Sequence, residues 1–148
     1  MDRSLLASLA TIVVGGLIAL QAPINSGLGK ATSTFSAAAI SFTVGTIALI
    51  GIVVVKGELG KVSGVTDVRA YYLVGGLLGA AYVTTVLTSV RTLGAGGVTA
   101  ATVAGQLTAS VIIDQLGILG LEQVPISLTR IIGILLLFSG TVLVVLRT

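Results

Sequence analysis

Gln21-Ala22-Pro23-Ile24-Asn25 is the stretch that decides how this chain is read. It closes an apolar segment, Leu5 to Leu20, that contains no charged residue. On a soluble helix such polar groups sit at the surface at little cost. In hydrocarbon they are costly, and Pro23 adds to the cost. Proline has no N–H, so a helix through Pro23 leaves the carbonyl of Ala19 without its usual donor and is expected to kink there. Gln21 and Asn25 lie one helical turn apart beside that freed carbonyl. Together they make a polar spot that has to face protein, water or a ligand, and the rest of the chain is read as the means of enclosing it.

Composition supports the membrane setting. Only 9% of the residues are charged, 55% are hydrophobic and mean hydropathy is +1.16, whereas soluble domains carry about 25% charged residues. Charge-free runs extend over Ser4–Gly29, Ala31–Val55, Ala70–Val90 and Thr92–Ile113. Each exceeds the roughly 18 residues that mark a candidate span. Ile131–Leu146 reaches that length if its helix begins at Pro125, with Arg130 snorkelling to the interface. The expectation is an all-α integral membrane protein, one transmembrane domain over 1–148 with helices at about 4–28, 34–55, 70–90, 98–118 and 125–146. The alternating strands of an outer-membrane barrel are absent from the pattern. Arg3 ahead of an apolar run resembles a signal peptide, but the run is long and no convincing small-x-small site follows it, so the segment is read as a mature helix.

The same composition removes whole classes of function. There is no cysteine and no histidine, so disulfides, thiolate metal sites and imidazole bases are excluded, and no metal or other cofactor is expected. With a single membrane acid no nucleophile–base pair can be assembled, so an enzyme is not expected. Net charge is +3, but the basic residues are scattered rather than clustered, which argues against nucleic acid. Gly94-Ala95-Gly96-Gly97 has no preceding strand and no following Lys-Ser/Thr, so it reads as a helix–helix turn and not as a phosphate loop.

Along the chain, Thr32 or Ser33 is placed to cap the second helix. Ser41, Gly45 and Thr46 form a small-residue face, read as close helix packing, as are Gly75 and Gly79. Lys56–Arg69 reads as a flexible, solvated connector. Tyr82, Thr85 and Ser89 share a face of the third helix and either line a cavity or hydrogen-bond within the bundle. Gln106, Ser110 and Asp114 follow at four-residue steps on the fourth. Asp114 is the one acid in or at the edge of a long apolar run. It is a functional candidate by default, the alternative being an interfacial residue that ends structure. Gly133 and Gly140 share a face of the last helix, suited to packing against a second copy.

Five spans put the termini on opposite sides. Arg3, Lys56, Lys61, Arg69 and Arg130 then fall on one side, and Lys30, Arg91 and Arg147 on the other. This is a weak bias under the positive-inside rule, compatible with insertion both ways. An odd number of spans makes the two orientations inverted copies. Paired about an axis in the membrane plane, they would form a ten-helix, inverted-repeat transporter, of which this chain is expected to be one half.

The run Leu20-Gln21-Ala22-Pro23-Ile24-Asn25-Ser26-Gly27-Leu28-Gly29-Lys30 resembles the first-helix signature of the YdcZ-like family in the drug/metabolite transporter superfamily. Ser41-Phe42-x-x-Gly45-Thr46, Gly105-Gln106-Leu107 and Ile113-Asp114-x-x-Gly117 are similar to that family's later motifs. The resemblance implies a half-transporter of the bacterial inner membrane that works as an antiparallel pair with itself or with an oppositely inserted paralogue. Small multidrug exporters of the same superfamily carry a glutamate in helix 1. Helix 1 here has none, and amides cannot carry a proton cycle, so export of lipophilic cations is not expected. The expectation is a secondary transporter for a small polar metabolite, with Gln21, Asn25, Gln106, Ser110 and Asp114 contacting substrate. A passive channel and a non-transporting scaffold, with Gln21 and Asn25 as interhelical glue, are the alternatives.

Overall fold

The computed structural model describes residues 2–146; Met1, Arg147 and Thr148 lie outside it, and with Arg147 one of the charges counted in the orientation argument. The described residues are helical with no strand. Four helices are long and apolar enough to cross a membrane, and the third breaks into two, giving a fifth helix. The chain divides into two units, Met1–Arg91 and Thr92–Thr148.

In the first unit, α1 spans Arg3–Ala31. Asp2 starts it by accepting a hydrogen bond from the Ser4 N–H at 3.4 Å. Ser8 and Thr11 return their hydroxyl protons to the carbonyls of Ser4 and Ala7, which removes two polar groups from lipid. The helix continues through Pro23. It ends where the Thr32 N–H and hydroxyl both donate to the Leu28 carbonyl, with Lys30 in the last turn facing the negative end of the helix dipole. Ser33, one of the two anticipated caps, accepts from the Ser36 N–H at 3.1 Å and opens α2, Thr34–Val55.

Lys56–Arg69, read from its charges and glycines as a solvated connector, is exposed throughout and carries regular structure. Leu59–Asp67 winds into a 3-10 helix, with Ser63 and Thr66 donating to the carbonyls of Gly60 and Ser63 and Lys61 paired to Glu58 at 2.8 Å. Local i to i+3 bonds satisfy its backbone. A 3-10 turn, Ala70–Leu73, leads into α3, Val74–Leu116.

At 43 residues, an unbroken α3 would be about 65 Å long, twice the hydrocarbon thickness. Gly94 resolves this with φ 71° and ψ 169°, a conformation essentially reserved for glycine. The anticipated turn over Gly94–Gly97 is thus a break at one residue. Within the first unit, Val83 and Leu87 of α3 pack on Ala37 and Ala38 of α2, with Leu28 and Tyr82 against them. Leu87 is fully buried. Phe42 lies beside Gly79, where a Cβ would be in ordinary contact with the ring, 3.4 Å from Cζ. Gly75, which shares that small-residue face, has open space around it in the chain.

In the second unit the last helix, α4, runs over Leu128–Val145. It begins later than the Pro125 start anticipated from sequence. The Ile126 N–H is drawn to Gln115 Oε1 at 2.6 Å, and Ser127 provides the cap, accepting from Arg130 N. Thr141 donates to the Ala100 carbonyl at one end, and Arg130 pairs with Asp114 at the other, so α4 runs antiparallel to the second arm of α3. Gly133 and Gly140 meet nothing within 4 Å in the chain.

Very little of this apolar surface is covered by the chain itself. All four candidate spans are mostly exposed, and the exposed large hydrophobics run through every helix. Such helices, apolar all round, are stable with lipid or other protein against them, not with water.

Candidate functional site

The α1–α2 hairpin carries a cleft of about 540 Å³. Seven apolar residues of its lining come from both helices, among them Val14, Leu17, Ile24 and Val44. Its polar lining is Gln21, Asn25 and Ser41. A second hollow of about 210 Å³ adjoins it, lined by Gln21, Ser41, Phe42, Gly45, Thr46 and Leu49. Gln21 and Ser41 line both and therefore form the divide between them. The four-residue step from Gln21 to Asn25 keeps both amides on one face of α1, and Ser41 reaches the same place from α2.

Asn25 is the most informative of the three. Its side chain is 5% exposed, and its Nδ2 is the only buried side-chain nitrogen or oxygen without a hydrogen-bond partner among the described residues. A buried donor left unpaired costs about 1–3 kcal/mol, and each such group calls for an explanation. Ser26, also buried, is not part of the cleft lining. No charged residue lines either hollow.

The other sequence candidates are placed as follows. Pro23 is exposed on α1. Tyr82 packs on the apolar cluster of Ala37, Ala38, Val83 and Leu87. Thr85 is exposed and donates to the Ala81 carbonyl on its own helix, while Ser89 is half-buried. In the second unit, Gln106 and Ser110 are exposed on α3. Asp114 Oδ2 accepts from Arg130 Nη1 at 3.0 Å, with both side chains about a third exposed. The Asp114 carbonyl accepts from Val124 N at 2.9 Å, and the Gln115 carbonyl accepts from Gln123 Nε2 at 2.8 Å. Asp114 therefore sits in the network that ties the 117–127 connection to the end of α3, and the first unit alone supplies the cleft. No group of His, Cys, Asp and Glu suited to a metal ion occurs among the described residues.

Ser41 is the cleft residue that the sequence does not single out as a substrate contact, because with Gly45 and Thr46 it reads as a small-residue packing face. A Cβ at Gly45 meets nothing within 4 Å in the chain, and the three residues line the smaller hollow.

A family model described as "Putative inner membrane exporter, YdcZ" matches residues 6–143. The chain belongs to the YdcZ family. The match takes in both hollows, the Asp114–Arg130 pair and nearly all of α4. With its apolar helices, membership makes this a multi-pass protein of the inner membrane. The family description is that of an exporter, which agrees at this coarse level with a transporter. No curated protein and no solved structure matches the chain.

Proposed function

We propose that this YdcZ-family chain is a half-transporter that moves a small hydrogen-bonding solute by alternating access, as an antiparallel pair with a second copy or an oppositely inserted paralogue. Gln21, Asn25 and Ser41 recognise the solute at the α1–α2 cleft. The observation that carries this reading is the convergence of Gln21 and Asn25 from α1 and Ser41 from α2 on one otherwise apolar cleft, the few polar groups on an apolar wall that small-molecule sites use to orient a ligand.

The family's exporter description supports transport over a scaffold role. The open faces of α4 at Gly133 and Gly140 offer a close approach to a second copy. An inverted pair would carry two copies of the cleft, one for each side of the membrane. Gln106 and Ser110 remain second-unit candidates for contact with the solute. Any coupling role of Asp114 requires its release from Arg130.

The test is saturable counterflow in proteoliposomes over a panel of small labelled solutes. Gln21→Ala and Asn25→Ala, inserted at normal levels, are expected to abolish it. Full activity in both variants overturns the site. Flux that shows no stimulation by counter-solute replaces the transporter with a channel.

A further inference from the structure

We infer that the 3-10 segment Leu59–Asp67 is an interfacial anchor. It lies along the membrane with Leu59, Val62 and Val65, and Val68 just beyond it, set into the boundary between headgroups and acyl chains. Its partner is the lipid surface. Leu59, Val62, Val65 and Val68 recur at every third residue. On an α-helix such positions drift by about 60° per step and spread around the rod. On a 3-10 helix, residues three apart lie one above the other, and Leu59–Asp67 keeps that form over all nine of its residues. Runs longer than three or four residues are uncommon in it. Here the long run draws the apolar side chains into a single line.

The other two lines of the rod are polar. One carries Gly60, Ser63 and Thr66, the two hydroxyls donating to the carbonyls of Gly60 and Ser63. The other carries Lys61, Gly64 and Asp67, with Lys61 held to Glu58 at 2.8 Å. One apolar side and two polar ones make a helix suited to the interface plane. The chain leaves the apolar line open: Leu59, Val62, Val65 and Val68 are 46–57% exposed.

The flanking elements decide what covers that line. α2 has 22 residues, about 33 Å, which matches a hydrocarbon core of about 30 Å and brings Val55 to its edge. The next apolar span opens at Ala70. The 3-10 rod is about 18 Å long. Only Val68 and Arg69 join its far end to Ala70, a reach of about 10 Å. A rod standing upright could not return over that distance, so it lies down toward the surface. Lys56 and Arg69 bracket it, with stems long enough to bring their charges to the phosphates. Tyr71 and Tyr72, two of the chain's three tyrosines, follow directly, both exposed, with ring centroids 4.3 Å apart. Tyrosines of this kind gather at the membrane–water boundary. A second copy fits less well, because four half-exposed side chains fall far short of the about 800 Å² per partner of a stable interface. Lipid needs no such area, since the flanking spans already hold the segment against it.

The chain has no cysteine, so nitroxide labels on single cysteines at each position from 59 to 68 test this placement in the full-length chain, in phosphatidylcholine nanodiscs. Oxygen concentrates in hydrocarbon and a neutral nickel chelate stays in water, so the ratio of their collision rates reads immersion. The ratio is expected to peak at 59, 62, 65 and 68, about threefold above the positions between them. Val62→Asp combined with Val65→Asp should bring the ratio at 59 and 68 down to that of the polar lines. A label in place of Leu77, exposed on α3, should not change. High nickel collision at all ten positions makes the segment a solvated connector and overturns the inference. So does a period of 3.6, which would break up the apolar line, or a ratio at 59 and 68 that the double variant leaves unchanged. Low collision with both reagents at 59, 62 and 65 means that protein covers the line, and replaces lipid with a second copy.

Discussion

Arg130 donates to Asp114 across 3.0 Å, joining the first turn of α4 to the last turns of α3. The pair is one third exposed, and two further hydrogen bonds, from Val124 N and Gln123 Nε2, hold the intervening connection against the same turn. Asp114→Ala and Arg130→Ala are each expected to lower thermal stability modestly. The double variant should be no worse than the more damaging single one, with a coupling of about 1 kcal/mol by double-mutant cycle. The exchanged pair, Asp114→Arg with Arg130→Asp, should recover part of the loss. Additive losses would show that the pair is incidental.

Gly94 makes a sharper prediction. Its φ of 71° with ψ of 169° is nearly closed to residues with a Cβ, so Gly94→Ala should cost about 1–3 kcal/mol. Gly96→Ala, where the nearest atom to a new Cβ is 3.9 Å away, is the control and should be close to neutral. Unfolding of the two variants in mixed micelles separates them.

Leu87 is fully buried against Ala37 and Ala38. The alanine side chains are too short to reach into a gap left there. Leu87→Ala should therefore cost about 2–4 kcal/mol, in the range of core truncations that collapse poorly. Leu77→Ala, exposed on the same helix, should change stability by less than about 0.5 kcal/mol.

Gly29 and Arg91 make a tight approach within the first unit. A Cβ on Gly29 would lie 3.0 Å from Arg91 Nη2 and 3.6 Å from the Ala37 Cβ. The guanidinium is the end of a flexible side chain, so Gly29→Ala should be tolerated with a small loss of thermal stability that Arg91→Ala relieves. Gly29→Leu has no such escape past Ala37 and Thr34 and should disrupt the hairpin. Equal stability of Gly29→Leu and wild type would contradict this packing.

The helical, membrane-spanning character of the chain was legible in the sequence, because charge-free runs of spanning length leave few alternatives. So was the pairing of Gln21 with Asn25 on one helix face, since a four-residue step fixes it whatever surrounds it. Other features depended on tertiary contacts that no local pattern reports. α4 starts at Leu128 instead of Pro125 because Gln115, eleven residues earlier, captures the Ile126 N–H. Ser41, Gly45 and Thr46 line a hollow because α1 presents Gln21 to them, and a small-residue face reads the same whether it is filled or open. Asp114 reads from sequence as a functional candidate, with an interfacial residue as the alternative, and its pairing with Arg130, sixteen residues on, is a contact that no local pattern reports.

The central claim is that this chain is one half of an antiparallel transporter, and orientation tests it most directly. The chain has no cysteine, so single cysteines can be placed at Gly60, in the 3-10 segment, and at Thr32, between α1 and α2. One span, α2, separates these positions. Intact cells are then treated with a membrane-impermeant thiol reagent. Dual insertion predicts partial labelling at both positions, with the two labelled fractions summing to about the whole population. Complete labelling at one position and none at the other means a fixed orientation and contradicts pairing with an inverted copy of itself. The pathway would then require an oppositely inserted paralogue.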